Sequence, residues 1–141
     1  MDKNRSQAIE WLKAAHDDLE SIGYILDVAH LTNIVAYHAQ QVVEKSLKAL
    51  MEYERVVFPK THNLERLYRY VEQIVEIDYE MLELVNELYI DSRYPGDTGL
   101  LPQGKPTTQE AKRFYDFAAD VFDAVCVVIK VDRSEFILTH D

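Results

Sequence analysis

The chain has 141 residues, with 15 Lys and Arg set against 25 Asp and Glu for a formal charge of -10. That length fits one domain around one core, and the acidic surplus opposes loose attraction to nucleic acid or to an anionic membrane. A single cysteine, Cys126, excludes an internal disulfide and a paired-cysteine zinc site, so a reducing cytoplasm is the expected compartment.

The first twenty residues are charged throughout and lack the apolar stretch of a signal peptide. Trp11, Ala14, Ala15, Ile22, Ile25, Leu26 and Ala29 recur at spacings of three and four, which predicts a first amphipathic helix over residues 6–29. A second follows over residues 34–53, capped by Thr32 or Asn33, with Val35, Ala39, Val42, Val43, Ser46, Leu47 and Leu50 as its apolar stripe. Pro59 ends that continuity and leaves residues 55–61 as a loop. Leu64, Leu67, Tyr68, Val71, Ile74 and Val75 then form a third helical stripe. Asp78 is placed to cap a fourth helix bearing Met81, Leu84, Val85, Leu88 and Tyr89. Three of the four glycines and three of the four prolines crowd into residues 93–106, the main irregular segment. Thr107 with Glu110 reads as a capping box, opening a fifth helix that carries Ala111, Phe114, Ala118, Val121, Phe122, Val125 and Val128.

No strand-like alternation and no fixed repeat interrupts this pattern. The expected class is therefore all-α, an up-and-down antiparallel bundle of four to five helices over residues 1–131 with a tail over 132–141. Its longest apolar run, residues 124–129, is far short of the roughly 20 residues that span a bilayer.

Three polar groupings are candidates for binding. His38, Gln41, Lys45 and Lys48 share one strip of the second helix, either as an anion site or as a solvated face with an ordinary Glu44–Lys48 pair. Residues 59–64, including Thr61 and His62, open the third helix, where an anion or simple capping by Thr61 or Asn63 would satisfy the free amides. Arg93 and Tyr94 follow the fourth helix, offering a planar fork for phosphate and a ring for stacking, or else an ordinary helix stop. No pair of histidines or Glu-x-x-His arrangement suited to a metal is present, nor a Gly-rich phosphate loop or nucleophile elbow.

The segments WLKAAHDDLESIGYIL (11–26), HAQQVVEKSLKAL (38–50), THNL (61–64) and SRYPG (92–96), in that order, resemble the HEPN domain over about residues 8–129. The name stands for higher eukaryotes and prokaryotes nucleotide-binding. The resemblance implies a homodimer that acts as companion to a minimal nucleotidyltransferase, in some cases as a toxin and antitoxin pair. It further implies a nucleotide such as ATP as the ligand, with no other cofactor and no metal. His38, Gln41, Lys45, Lys48 and Arg93 would then face phosphate and Tyr94 a base, with Thr61 and His62 as a second position. Many relatives are instead metal-independent ribonucleases that use an Arg followed after four to six residues by His. Arg93 is followed by YPGDTGLLPQGK, with no His, while Arg55 with His62 and Arg133 with His140 meet the spacing away from the family's site. The expectation is a nucleotide-binding subunit without catalysis of its own, against two alternatives, a ribonuclease and a helical adaptor that binds no small molecule.

Overall fold

In the computed structural model, which describes residues 2–57, 59–88 and 98–137, six helices carry the fold. They are α1 (Lys3–Ile25), α2 (Thr32–Tyr53), α3 (Leu64–Arg69), α4 (Tyr79–Asn86), α5 (Thr108–Ile129) and α6 (Ser134–Ile137). The all-α expectation holds. No strand is formed among the described residues, where an isolated bridge joins Leu101 and Gly104.

Helix α1 is capped by Asp2, whose carboxylate accepts from the Asn4 amide at 2.9 Å, and so begins three residues earlier than its apolar pattern suggests. It ends at Ile25, and a 3-10 turn over Ala29–Leu31 leads into α2. Its core stripe is Ala8, Leu12, Ala15, Leu19 and Ile22, a register in which Trp11 and Ala14 sit half-buried at the edge. Neither Thr32 nor Asn33 caps α2. Both lie inside the helix, and Asn33 instead donates through its side-chain amide to the Thr98 carbonyl at 3.1 Å.

The seven apolar-stripe residues expected on α2 are all buried. Burial extends further, to Ala36, Gln40, Glu44, Ala49 and Met51, so that the half-exposed residues before Tyr53 are confined to about 100° of its circumference at 100° per residue. That outlet runs through Ile34, Tyr37, His38, Gln41, Lys45, Lys48 and Glu52. Helix α2 is thus the central element, packed along α1 on one side and α5 on the other.

Side-chain pairings give the helix directions. Asp18 meets His38 while Asn4 meets the Glu52 carbonyl, so α1 and α2 are antiparallel. Arg5 donates to the Lys130 carbonyl at 2.9 Å, and Leu26 and Asp27 share a cavity wall with Thr108 and Gln109, so α1 and α5 are antiparallel as well. Helices α2 and α5 consequently run the same way, with residues 54–107 carrying the chain back between them.

The third stripe is helical only over its first six residues. From Tyr70 onward the amides of Tyr70, Val71 and Ile74 bond three residues back, a tighter winding, and the Tyr68 hydroxyl donates to the Val75 carbonyl at 2.9 Å. Val71 and Val75 still reach the core. Asp78 caps α4 by accepting from the Met81 amide, and the Thr107–Glu110 capping box on α5 is complete in both directions. Helix α2 ends with Arg55 and α5 with Lys130 in the left-handed region, and the amides of Val56 and Val131 bond back to Met51 and Cys126. The sequence left the tail's structure open; Phe136 of α6 is buried and stacks at 5.5 Å on His16.

Candidate functional site

The outlet strip of α2 is built around two carboxylates, Glu44, which the sequence paired with Lys48, and Asp18, which sequence reasoning did not single out. Asp18 on α1 sits between His38 Nδ1 and Lys45 Nζ, each at 2.7 Å, with a carboxylate only 11% exposed. Glu44 on α2 is more buried, with 5% exposure, and receives Lys48 Nζ at 3.0 Å and His62 Nδ1 at 2.9 Å. Gln40 adds a long 3.5 Å contact to Glu44 and donates to the His62 carbonyl at 3.4 Å, while Gln41 donates to Gln40 at 2.8 Å. A buried carboxylate persists where cations and donors surround it, and these two are so surrounded.

Each expected strip residue therefore lies where the helical spacing put it, though not as a free cation. Lys45 is matched by Asp18 and Lys48 by Glu44, the second being the ordinary pair four residues apart. Asp18 was legible as a charged residue between Ala15 and Ile22 on the core face of α1, and Glu44 as one four residues after Gln40 on the buried side of α2. Spacing alone did not separate them from solvated acids.

At the start of α3 the capping reading holds. Asn63 accepts from the Arg66 amide at 3.0 Å, the Thr61 hydroxyl accepts from the Asn63 amide at 3.1 Å, and Asn86 of α4 accepts from the Leu64 amide at 2.7 Å. The Leu64, Arg66 and Leu67 amides of that short helix are therefore used within the protein. What the loop supplies instead is side chains, since Pro59, Lys60, Thr61 and His62 join Lys48 of α2 in lining a cavity of about 310 Å³. Lys60 is exposed and makes no ion pair among the described residues. Arg93 and Tyr94 lie outside the described residues.

The two Arg–His pairs of ribonuclease spacing are not brought together as pairs. Arg55 reaches Asp2 at 3.6 Å while His62 turns to Glu44, and Arg133 reaches Asp123 at 3.2 Å while His140 lies outside the described residues. His16, Asp17 and Glu20 are the one grouping among the described residues with metal-ligand spacing, their donor atoms falling within 4.8 Å of one another. Two of them are exposed, and the His16 ring packs on Phe136 and Phe122. No helix among the described residues is long and apolar enough to cross a membrane.

Fold and site together define a class: an all-helical domain whose central helix is buried except for one strip of histidine, glutamine and lysine, tied by carboxylates to α1 and to the loop before α3. The HEPN-domain family matches residues 8–129, nearly all of these elements, and the chain belongs to that family. Comparison with curated proteins and with solved structures gives no match.

Proposed function

We propose that this HEPN domain is a nucleotide-binding companion subunit without catalysis of its own, serving a minimal nucleotidyltransferase in a module of the toxin–antitoxin kind. The observation that carries the nucleotide half is the cavity in which Lys48, Lys60, Thr61 and His62 converge. Two ammonium groups, a hydroxyl and an imidazole are donors suited to phosphate oxygens, and Lys60 brings a positive charge that no acid among the described residues offsets. The acidic body makes this a local site, suited to a nucleotide rather than to a long nucleic acid. The partner half rests on family membership, as does the homodimer, with a cytoplasmic setting to match. Arg93 and Tyr94, outside the described residues, enter this reading only as the family resemblance implies, as phosphate and base contacts.

Isothermal titration with ATP and GTP tests it. Saturable heat is expected, with affinity lowered about threefold in Lys60→Ala, an exposed position whose loss leaves the fold intact. Absence of heat with either nucleotide, alone or beside the transferase, overturns the nucleotide half. Light scattering at micromolar concentration is expected to give twice the 16.4 kDa chain mass.

One observation favours the ribonuclease reading. Glu44 fixes His62 through Nδ1, which leaves the other ring nitrogen of a 58% exposed imidazole beside Lys48 and Lys60, an arrangement able to move a proton. RNA cleavage by the purified protein that is abolished in His62→Ala would establish this reading and displace the first.

A further inference from the structure

Two cavities on the far side of Lys48 adjoin one another across Glu52. The first, of about 360 Å³, is lined by Gln7, Glu10, Trp11 and Glu52, and the second, of about 400 Å³, by Asn4, Glu52, Arg55, Val56 and Val57. Their chemistry differs. The first places an indole beside two carboxylates and an amide, a set that attracts a planar cation. Its Glu52 carboxylate has no cation within ion-pair distance, and the Gln7 side chain makes no hydrogen bond, among the described residues. The Trp11 ring already has the Lys48 ammonium 5.5 Å from its centroid, so it serves as a cation acceptor within the chain itself. The second cavity presents Val57, 92% exposed, together with Val56. Arg55, held to Asp2 at 3.6 Å, makes that cavity unfavourable for a second cation.

We propose that this groove docks a segment of a basic partner protein bearing an arginine beside an apolar residue. The guanidinium lies against Trp11 with its N–H groups toward Glu52 and Glu10, and the neighbouring side chain covers Val56 and Val57. Charge complementarity selects this occupant: a body of net charge -10 attracts a basic partner from a distance, and the one half-buried carboxylate of the groove lacks a counter-charge. The site shares no lining residue with the phosphate cavity, though Lys48 borders both, and it stands whether or not a nucleotide binds there.

Trp11 is the only tryptophan, so its fluorescence reports this groove, and titration without nucleotide keeps the neighbouring Lys48 environment constant. Titration of the full chain with N-acetyl-arginyl-leucine amide is expected to give a saturable change in emission. The glutaminyl analogue is expected to bind more weakly, and Glu52→Gln to lower the affinity of the arginyl peptide about fivefold. Glu10→Gln, at an exposed position, must weaken binding as well and carries the test if Glu52→Gln fails to fold. Lys60→Ala must leave it unchanged. Equal binding of the two peptides, an unaltered affinity in both glutamate variants, or no saturable change overturns the proposal. Spermidine binding as tightly as the arginyl peptide would also overturn it, by assigning the groove to a free polyamine.

Discussion

The two ends of the α2 outlet strip use the same chemistry to opposite effect. At the N-terminal end Asp18 is gripped by His38 and Lys45, and all three groups belong to the α1–α2 interface. The described part of the irregular segment closes over this end: Gly99 adopts φ +75° with its α-carbon so near α2 that an added β-carbon would lie 1.8 Å from the Asn33 carbonyl oxygen. At the C-terminal end Glu44 is gripped by Lys48 and His62, but His62 comes from a loop, is mostly exposed, and faces a cavity. A carboxylate between a lysine and a histidine is therefore a helix-to-helix staple where both partners are enclosed by regular elements. It becomes the floor of a binding site where one partner rides on a loop.

Removing the staple should produce the largest effect. Asp18→Ala leaves His38 and Lys45 partly buried without their shared anion, and is expected to destabilise by about 3 kcal/mol. A urea midpoint lowered at unchanged slope would show it, while nucleotide affinity of the folded protein stays as it was. A smaller loss for Asp18→Ala than for Glu44→Ala would break the comparison. Gly99→Ala comes next at about 2 kcal/mol, because the methyl group meets backbone that cannot yield and the residue must hold a left-handed conformation. Hydrogen exchange should quicken over residues 98–104, where the Asn33–Thr98 bond is lost, and remain unchanged over residues 59–63.

Much of this architecture was legible in the sequence. The α2 stripe, the Asp78 cap and the Thr107–Glu110 box are local facts that periodicity and capping chemistry expose, and their positions agree with the structure. The α1 stripe was right at Ala15 and Ile22 but included Trp11 and Ala14, which are apolar yet lie at the edge of a register fixed by packing against α2. The third stripe was read as one helix because Val71 and Val75 keep helical spacing, and a tightened turn delivers them to the same core. The parallel course of α2 and α5 depends on how residues 54–107 fold back, which no window of periodicity contains. Of the site, the strip on α2 and the Glu44–Lys48 pair were legible from helical spacing; Asp18 as the partner of Lys45, and the burial of both acids, were not, because burial of a carboxylate depends on a partner brought from another helix or loop.

The open end invites the opposite manipulation. Glu44→Gln keeps a side chain of the same shape beneath His62 and Lys48 while deleting the charge that neutralises them. Stability should fall by about 1 kcal/mol, less than for Asp18→Ala, because the amide retains a hydrogen bond. Nucleotide affinity should rise about fivefold, since the phosphate no longer competes with a resident anion. Weaker binding in this variant would mean that Glu44 orients His62 for the ligand more than it offsets the lysines, and titration calorimetry separates the two outcomes.

The smallest effect concerns Cys126, on the α5 side of the core and remote from both clusters. Burial pushes its thiol up to about 12 from an ordinary value of 9.0, with the Asp123 charge adding to the rise. Because the folded state holds the proton more tightly than the unfolded chain, this group's contribution is fully present below pH 9 and is lost as pH climbs toward 12. Unfolding in urea at several pH values, with Cys126→Ala alongside, should show a constant gap between the two proteins from pH 5 to 8. Above about pH 9 the gap should shift in favour of the variant, because only the parent forfeits stability by ionising an unfolded thiol. A constant gap up to pH 11 would contradict the burial assigned to Cys126.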